Sequence, residues 1–311
     1  MTASSYEEAG VSIRRGDAFA EYVARRVGGG IGGFAGGLEI DLRHWKRPVL
    51  LSTTDGVGTK ILLAKEFGDY STIGIDLVAM SANDLAVCGA TPMSFLDYIA
   101  CGSIDRTILD SVIDGILEGC SLADCVLSGG ETAEMPDLYA RDDIDLAGFC
   151  IGLVEQDQRL PHSDRVREGD AIIGLASSGI HSNGLSLARK ALGANDPRRR
   201  ELLTPTRIYV NQLTSALPYL KAAAHVTGGG IVSNLERVLP DGVEARLNWS
   251  WSVPSIFSHL ASEGSIAETE MRRVFNMGIG IAMIVRPEDV AALAQALDEP
   301  LIEMGTVSGR G

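Results

Sequence analysis

Residues 47–60 read RPVLLSTTDGVGTK, followed by STIGIDLVAMSANDLAVCGA (71–90) and TPMSFLDYIAC (91–101). The first stretch is a strand that runs into a glycine turn. The second has the apolar density and length of a helix with small residues on one side, and the third is again a strand. Outward from this core the same alternation continues. A short amphipathic helix is expected over 17–27, and Asp105 is placed to cap a helix in which Ile108, Leu109, Val112, Ile113, Ile116 and Leu117 recur at helical spacing. CVLSGGETAEM reads as strand then turn, and DIDLAGFCIGLVE as a strand. After the polar, Pro161-containing segment EQDQRLPHSDRVREGD, a second cycle begins. DAIIGLASSG, AAAHV and FNMGIGIAMIV are strands, while SNGLSLARKAL, IVSNLERVL and PEDVAALAQAL are helices. Strands and helices alternate throughout, which predicts an α/β or α+β class. A chain of 311 residues is long for one core. Two domains are expected, 1–160 and 161–311.

Composition restricts the partners. The 41 acidic residues exceed the 27 Lys and Arg, for a formal charge of −14. Such a surface repels a phosphodiester backbone, so no nucleic-acid partner is expected. Acidic clusters suit a hard cation with oxygen ligands, such as Mg²⁺. The five cysteines, at 88, 101, 120, 125 and 150, include no CxxC pair and read as free buried thiols of a reducing cytosol. The amino terminus carries no signal-peptide pattern, and no apolar run approaches about 18 residues, so a cytoplasmic protein with no membrane partner is expected.

Thr54–Lys60 carries the chemistry first. Gly56 and Gly58 let backbone N–H groups approach an anion, Thr59 and Lys60 add a hydroxyl and a charge, and Asp55 suits a metal. The spacing is not that of a P-loop. Gly28-x-Gly30-x-x-Gly33 matches a dinucleotide fingerprint literally but follows a helix rather than a strand, so a loop closing over a ligand is the better reading. On the 71–88 helix, Asn83 falls within about 20° of Asp76 and Asp84 about 80° away. Charges in so apolar a stretch are costly unless paired or bound to a cation, and metal ligation is expected of Asp76 and Asp84. Gly130 and Glu131 in GGETAEM suit a further metal or nucleotide contact, with a hairpin turn as the plain alternative. In SSGIHSNG, Ser178, Ser182 and Asn183 can bond phosphate or ribose oxygens, and His181 is a charge-assisted donor or a general acid–base. Gly228, Gly229 and Gly230 in HVTGGG form a second phosphate cradle, while His225 reads as a core histidine.

Taken as an ordered set, YEEAGVSI, GGFAGG, TDGVGTK, IGIDLVAMSANDLAVCGATP, GCSLADCVLSGGETAEMP, SSGIHSNGLSL, PTRIYV, HVTGGGIVSNLERVLP and FNMGIGI resemble the aminoimidazole ribonucleotide synthetases. These are also called phosphoribosylformylglycinamidine cyclo-ligases. The resemblance implies an ATP-dependent, C–N bond-forming ligase of purine biosynthesis. In such an enzyme ATP phosphorylates the formyl amide oxygen of formylglycinamidine ribonucleotide, the amidine nitrogen attacks, and phosphate leaves as the imidazole closes. ATP and Mg²⁺ would be served by Asp55, Lys60, Asp76, Asp84 and Glu131, and the substrate by Ser178, His181, Ser182, Asn183 and Gly228–Gly230. Lys60 and His181 are the catalytic candidates. The resemblance also implies a homodimer in which amino-terminal sheets pair into a barrel-like core with nucleotide sites near the interface. It departs at Met277, where Cys is expected, and at the closing MGTVSGRG, where one more strand is expected. The alternatives are another ATP-dependent phosphorylating enzyme of the same superfamily, or a non-catalytic nucleotide-binding regulator.

Overall fold

The computed structural model describes residues 7, 10–28, 31 and 34–310. Gly30 and Gly33 of the literal glycine pattern, and Tyr6, Glu8 and Ala9 of YEEAGVSI, lie outside them. The first helix, α1 (Ile13–Val27), starts earlier than expected because Ser12 caps it, accepting from the Arg15 amide at 3.4 Å.

β1 (Pro48–Gly56), α2 (Lys60–Phe67), α3 (Ile73–Val87), β2 (Thr91–Cys101), α4 (Arg106–Leu122), β3 (Val126–Glu134) and β4 (Ile144–Glu155) build the first unit. Asp105 caps α4 as the sequence indicates, accepting from the Thr107 amide at 2.9 Å. The sheet order is β1-β4-β2-β3, and only the β2–β3 pair, joined through α4, is parallel. GGETAEM is not a turn. Its backbone is held in β3 by the ladder to β2, with Tyr98 opposite Glu131 and Cys101 opposite Glu134. Side chains alternate between faces. One face carries Phe95, Ile99, Cys150 and Leu127 into the core beneath α3 and α4. The other leaves Leu50 60% and Phe149 44% exposed.

The second unit comprises β5 (Ala171–Ala176), α5 (Leu185–Ala191), α6 (Val210–Ala216), β6 (Leu220–His225), α7 (Gly230–Glu236), β7 (Val243–Leu247), α8 (Ser255–Glu263), α9 (Glu268–Val274), β8 (Ile279–Val285), α10 (Val290–Leu297) and β9 (Ile302–Gly309). Its sheet, ordered β6-β8-β5-β9-β7, is antiparallel throughout. All seven residues of β8 are buried, as its continuous apolar sequence requires of a strand covered on both faces. MGTVSGRG supplies most of β9, which lies inside the sheet between β5 and β7. The two sheets make this a mixed α/β protein, and α3 packs against α6 and β6 of the second unit. No helix among the described residues is long and apolar enough to cross a membrane.

Candidate active site

The seam between the two units gathers most of the motifs. Lys60, the first residue of α2, points into it and is fully buried, as is Asp76 on α3. The Lys60 ammonium donates to Asp76 Oδ1 at 2.9 Å, lies 2.7 Å from Oδ2, and donates to the Thr204 carbonyl at 2.6 Å. Asp76 Oδ1 also accepts from the Ser182 hydroxyl at 2.9 Å and the Thr206 amide at 2.7 Å. Burial lowers the pKa of Lys60, and the adjacent carboxylate opposes that shift. These bonds correct three expectations. Lys60 is sealed against Asp76 and the Thr204 carbonyl rather than open to a phosphate, Asp76 is an ion-pair partner rather than a metal ligand, and Ser182 is spent on Asp76 and Thr206 rather than on substrate.

Asn83 shares the Asp76 face of α3, as the spacing predicts, but its use is also internal. Its Oδ1 accepts from the Tyr209 amide at 2.8 Å and its Nδ2 donates to the Arg207 carbonyl at 3.0 Å. Buried chain outside a ladder must find other partners for its backbone groups. One face of α3 supplies them for the PTRIYV segment, and this fixes how the two units meet.

Asp84, one residue on, turns elsewhere. Its Oδ1 accepts from Nδ1 of His225, at 2.9 Å, while the Asn83 amide lies 3.5 Å from His225 Nε2. His225 is buried at the end of β6, a core histidine whose polar atoms are thus satisfied across the seam. Asp55 is half-buried at the end of β1 and accepts from the Gly56 amide at 2.8 Å. Burial raises its pKa and the Asp84 charge raises it further, against the Gly56 bond and His225. Beside this pair lies a cavity of about 330 Å³, lined by Thr53, Asp84 and Cys88 on one side and Ala224, His225 and Asn234 on the other.

Glu131 is not part of that pair. In register, Asp55, Gly148, Asp97 and Gly130 form one row across the sheet, so β4 and β2 separate Asp55 from the Gly130–Glu131 step. Three inter-strand spacings amount to about 14 Å. Within one chain, therefore, the carboxylates expected to serve metal and ATP occupy three places: Asp55 with Asp84, Asp76 with Lys60, and Glu131 on β3. Gly36, from the glycine-rich segment, rests directly on β3. A Cβ there would lie 1.6 Å from the Ser128 carbonyl oxygen, so only glycine permits the approach.

The HSNG turn holds two unsatisfied donors. His181 is buried with φ +61°, and its Nε2 accepts from the Ser178 amide at 3.2 Å. The proton of a neutral ring then sits on Nδ1, which has no partner among the described residues. Burial, followed by the charges of His225, Lys60 and Arg207, holds His181 well below the usual histidine range. It is a neutral donor, which corrects the charge-assisted reading. The buried Nδ2 of Asn183 also lacks a partner among the described residues. Buried polar groups are almost always hydrogen-bonded, so two orphaned donors in one turn mark where an acceptor belongs. Ser178 is exposed and donates to the Pro205 carbonyl at 2.6 Å.

Gly228 faces this turn: a Cβ on it would lie 3.6 Å from Asn183 Oδ1. Gly228 and Gly229 are exposed, and Asn234 clamps their turn by donating to the carbonyls of Gly230 at 2.8 Å and Gly228 at 3.2 Å. Gly229 and Gly230 have φ of +95° and +70°, and a Cβ on Gly230 would meet the Arg272 carbonyl oxygen at 2.1 Å. TGGG thus forms a close backbone turn between β6 and α7.

Residues 42–154 match the family described as AIR synthase related protein, N-terminal domain, and residues 167–311 match its C-terminal domain. Phosphoribosylformylglycinamidine cyclo-ligase of Methylobacillus flagellatus is 45% identical, over 99% of this chain and 95% of that protein. The Nitrosospira multiformis protein of the same name is 48% identical, over 94% and 89%. The chain belongs to the phosphoribosylformylglycinamidine cyclo-ligase family. The cyclo-ligase fold is shared more widely. The crystal structure of hydrogenase maturation protein HypE in complex with ATP superposes with a TM-score of 0.69 at 18% identity, over 93% of this chain and 84% of that one. T. maritima PurL complexed with AMPPCP gives 0.55 at 14%, over 84% and 40%.

Magnesium, implied for a cyclo-ligase, fits one of the three carboxylate places. Asp55 and Asp84 are like charges in a half-buried setting, a repulsion that a divalent cation relieves. Among the described residues no group of three or more His, Cys, Asp or Glu is arranged to hold a metal. Mg²⁺ commonly takes only one or two carboxylates and completes its shell with water and phosphate oxygens.

Asp97 escaped the sequence reading. It is buried on β2, and burial, with a smaller contribution from Glu131, pushes its pKa up to about 7. With Gly129, Gly130, Glu131 and residues of α1 it lines a cavity of about 280 Å³. The signal was present: a single carboxylate inside the apolar strand SFLDYIA.

Proposed function

We propose that this chain closes the imidazole ring of 5-aminoimidazole ribonucleotide from formylglycinamidine ribonucleotide, with ATP as phosphoryl donor, in the cytoplasm. The observation that carries this reading is the pair of orphaned buried donors, His181 Nδ1 and Asn183 Nδ2, in the turn whose Asn183 side chain lies against Gly228. Amide N–H groups of the turn suit the ribose phosphate. The two side-chain donors suit the former amide oxygen as it leaves with the phosphate, where negative charge builds as the C–O bond breaks. A neutral donor fixed in a buried site stabilises such charge without reorganising. His181 acts here by holding its proton toward the acceptor, not by arriving charged.

On the nucleotide side, Asp55 and Asp84 would hold Mg²⁺, with Gly56, Gly58 and Thr59 close to the phosphates. The ion supplies charge neutralisation for the polyphosphate when bound. Glu131 and Gly130 stand too far across the sheet to join Asp55 within one chain. The exposed apolar side chains Leu50 and Phe149 support pairing of this face with a second copy as a homodimer. That arrangement would bring β3 of one subunit toward the nucleotide of the other.

The test is turnover of purified protein with Mg²⁺-ATP and formylglycinamidine ribonucleotide. Aminoimidazole ribonucleotide and ADP should form one to one, with no ADP when the ribonucleotide is omitted. Absence of the imidazole product, or substrate-independent ADP release, sinks the reading.

A further inference from the structure

Cys120 and Cys125, at the end of α4, lie beside Cys150 of β4, and the chemistry proposed above uses none of the three. The helix end explains the closest pair. At the carboxy terminus of α4, Asp124 adopts φ +51°, the Cys125 amide donates to the Cys120 carbonyl at 3.0 Å, and the Asp124 amide donates to the Ser121 carbonyl at 3.3 Å. This is the Schellman arrangement, in which the residue two beyond the helix cap packs its side chain on the residue three positions before the cap. Elsewhere those two positions usually hold a hydrophobic contact. Here they hold Cys125 and Cys120.

The third thiol completes the cluster. Cys150 is buried in the middle of β4, held by ladders to Thr53 on one side and Phe95 on the other. The neighbouring thiols of Cys120 and Cys150 lower the Cys125 pKa, while the same proximity, and then burial, raise those of the two neighbours. Cys120 and Cys150 are buried and Cys125 is half-buried, so solvent reaches the cluster through Cys125. Among the described residues no set of three such side chains is arranged to hold a metal.

We propose that Cys125 and Cys120 form a peroxide-reactive dithiol, with Cys125 as the attacking thiolate and Cys120 as the resolving thiol. Cys125 sulfur gives its electron pair to one oxygen of hydrogen peroxide, the O–O bond breaks, and the departing hydroxide is protonated to water. Cys120 sulfur then displaces the hydroxyl from the Cys125 sulfenic acid as a second water, losing its own proton as the S–S bond forms. Two thiols and one peroxide become one disulfide and two waters. Cys120 is the resolving partner rather than Cys150 because it sits in the last turn of a helix, where the backbone can adjust, whereas Cys150 is fixed between two ladders.

Cys88 provides an internal control. It is half-buried like Cys125, but burial raises its pKa. The experiment titrates the folded full chain with hydrogen peroxide and maps thiols by alkylation before and after reduction. The expected result is loss of Cys120 and Cys125 together as a reducible disulfide, at least about tenfold faster than Cys88. The Cys150→Ser variant should form the same bond at the same rate. In Cys120→Ser, Cys125 should instead stop at a sulfenic acid that dimedone traps. Should Cys120→Ser fail to fold, the wild-type map and Cys150→Ser still decide. A Cys125–Cys150 bond, oxidation of Cys88 before Cys125, or thiols at 120 and 125 that survive while the others react would overturn the proposal.

Discussion

Lys60 and Asp76 form an ion pair from which solvent is fully excluded, and among the described residues every other bond that either side chain makes reaches the second unit. A lysine at the end of a glycine turn looks like a phosphate ligand. Here it holds the two halves of the active site in register. Removing one member of such a pair strands the other charge, at a cost of about 3–5 kcal/mol. Lys60→Met should therefore lower unfolding stability in urea by about that amount. Adding Asp76→Asn should recover part of the loss, giving a coupling energy of at least about 1 kcal/mol. Additive effects would mean the pair is not the latch described.

Asp55 is expected to behave in the opposite way. Burial and the charge of Asp84 raise its pKa, so Asp55→Asn removes a repulsion and should leave the melting temperature unchanged or higher. Turnover should still fall by at least about 100-fold, equivalent to about 2.7 kcal/mol of transition-state stabilisation. Stability and turnover falling together would assign Asp55 to the scaffold instead.

His181 makes a pH prediction. Its folded pKa lies well below 6.5, so in acid the unfolded chain binds a proton that the folded chain refuses. Its contribution is complete above pH 6.5 and is lost as the pH falls toward the depressed folded value. His181→Asn, which tolerates the positive φ, should lose less stability than the wild type between pH 7.5 and 5.5. Parallel curves for the two proteins would show that His181 is not held neutral.

Asp97 carries the opposite sign. With a folded pKa of about 7 against 3.8, its carboxyl favours folding at low pH, and that contribution is lost as the pH rises from 3.8 through 7. At pH 8, Asp97→Asn should be more stable than the wild type by up to about 4 kcal/mol, and the gain should shrink at pH 5. Urea unfolding at the two pH values measures the difference. An equal effect at both would place the Asp97 charge in contact with water.

The sequence by itself determined a good deal. Local periodicity and glycine turns located β1, β2, α4, β5, β6, α7 and β8, because these depend on residues close in the chain. The ordered motifs were enough to indicate the family that the relatives then showed. The extended run of β3 was missed because its continuation through GGETAE depends on pairing with β2, a partner some 30 residues away. Partnership was likewise hidden. Asp76 and Asn83 were read as sharing a helix face, and they do, but only packing against Thr204–Tyr209 decided that the face grips backbone rather than metal. The distance from Asp55 to Glu131 was set by strand order, and the meeting of Cys120, Cys125 and Cys150 by a helix cap laid against a sheet. A sequence records which groups can ionise or donate. Which of them remain unpaired depends on what tertiary structure brings within about 3 Å, and in this chain that leaves His181 and Asn183 free while spending Lys60 on Asp76.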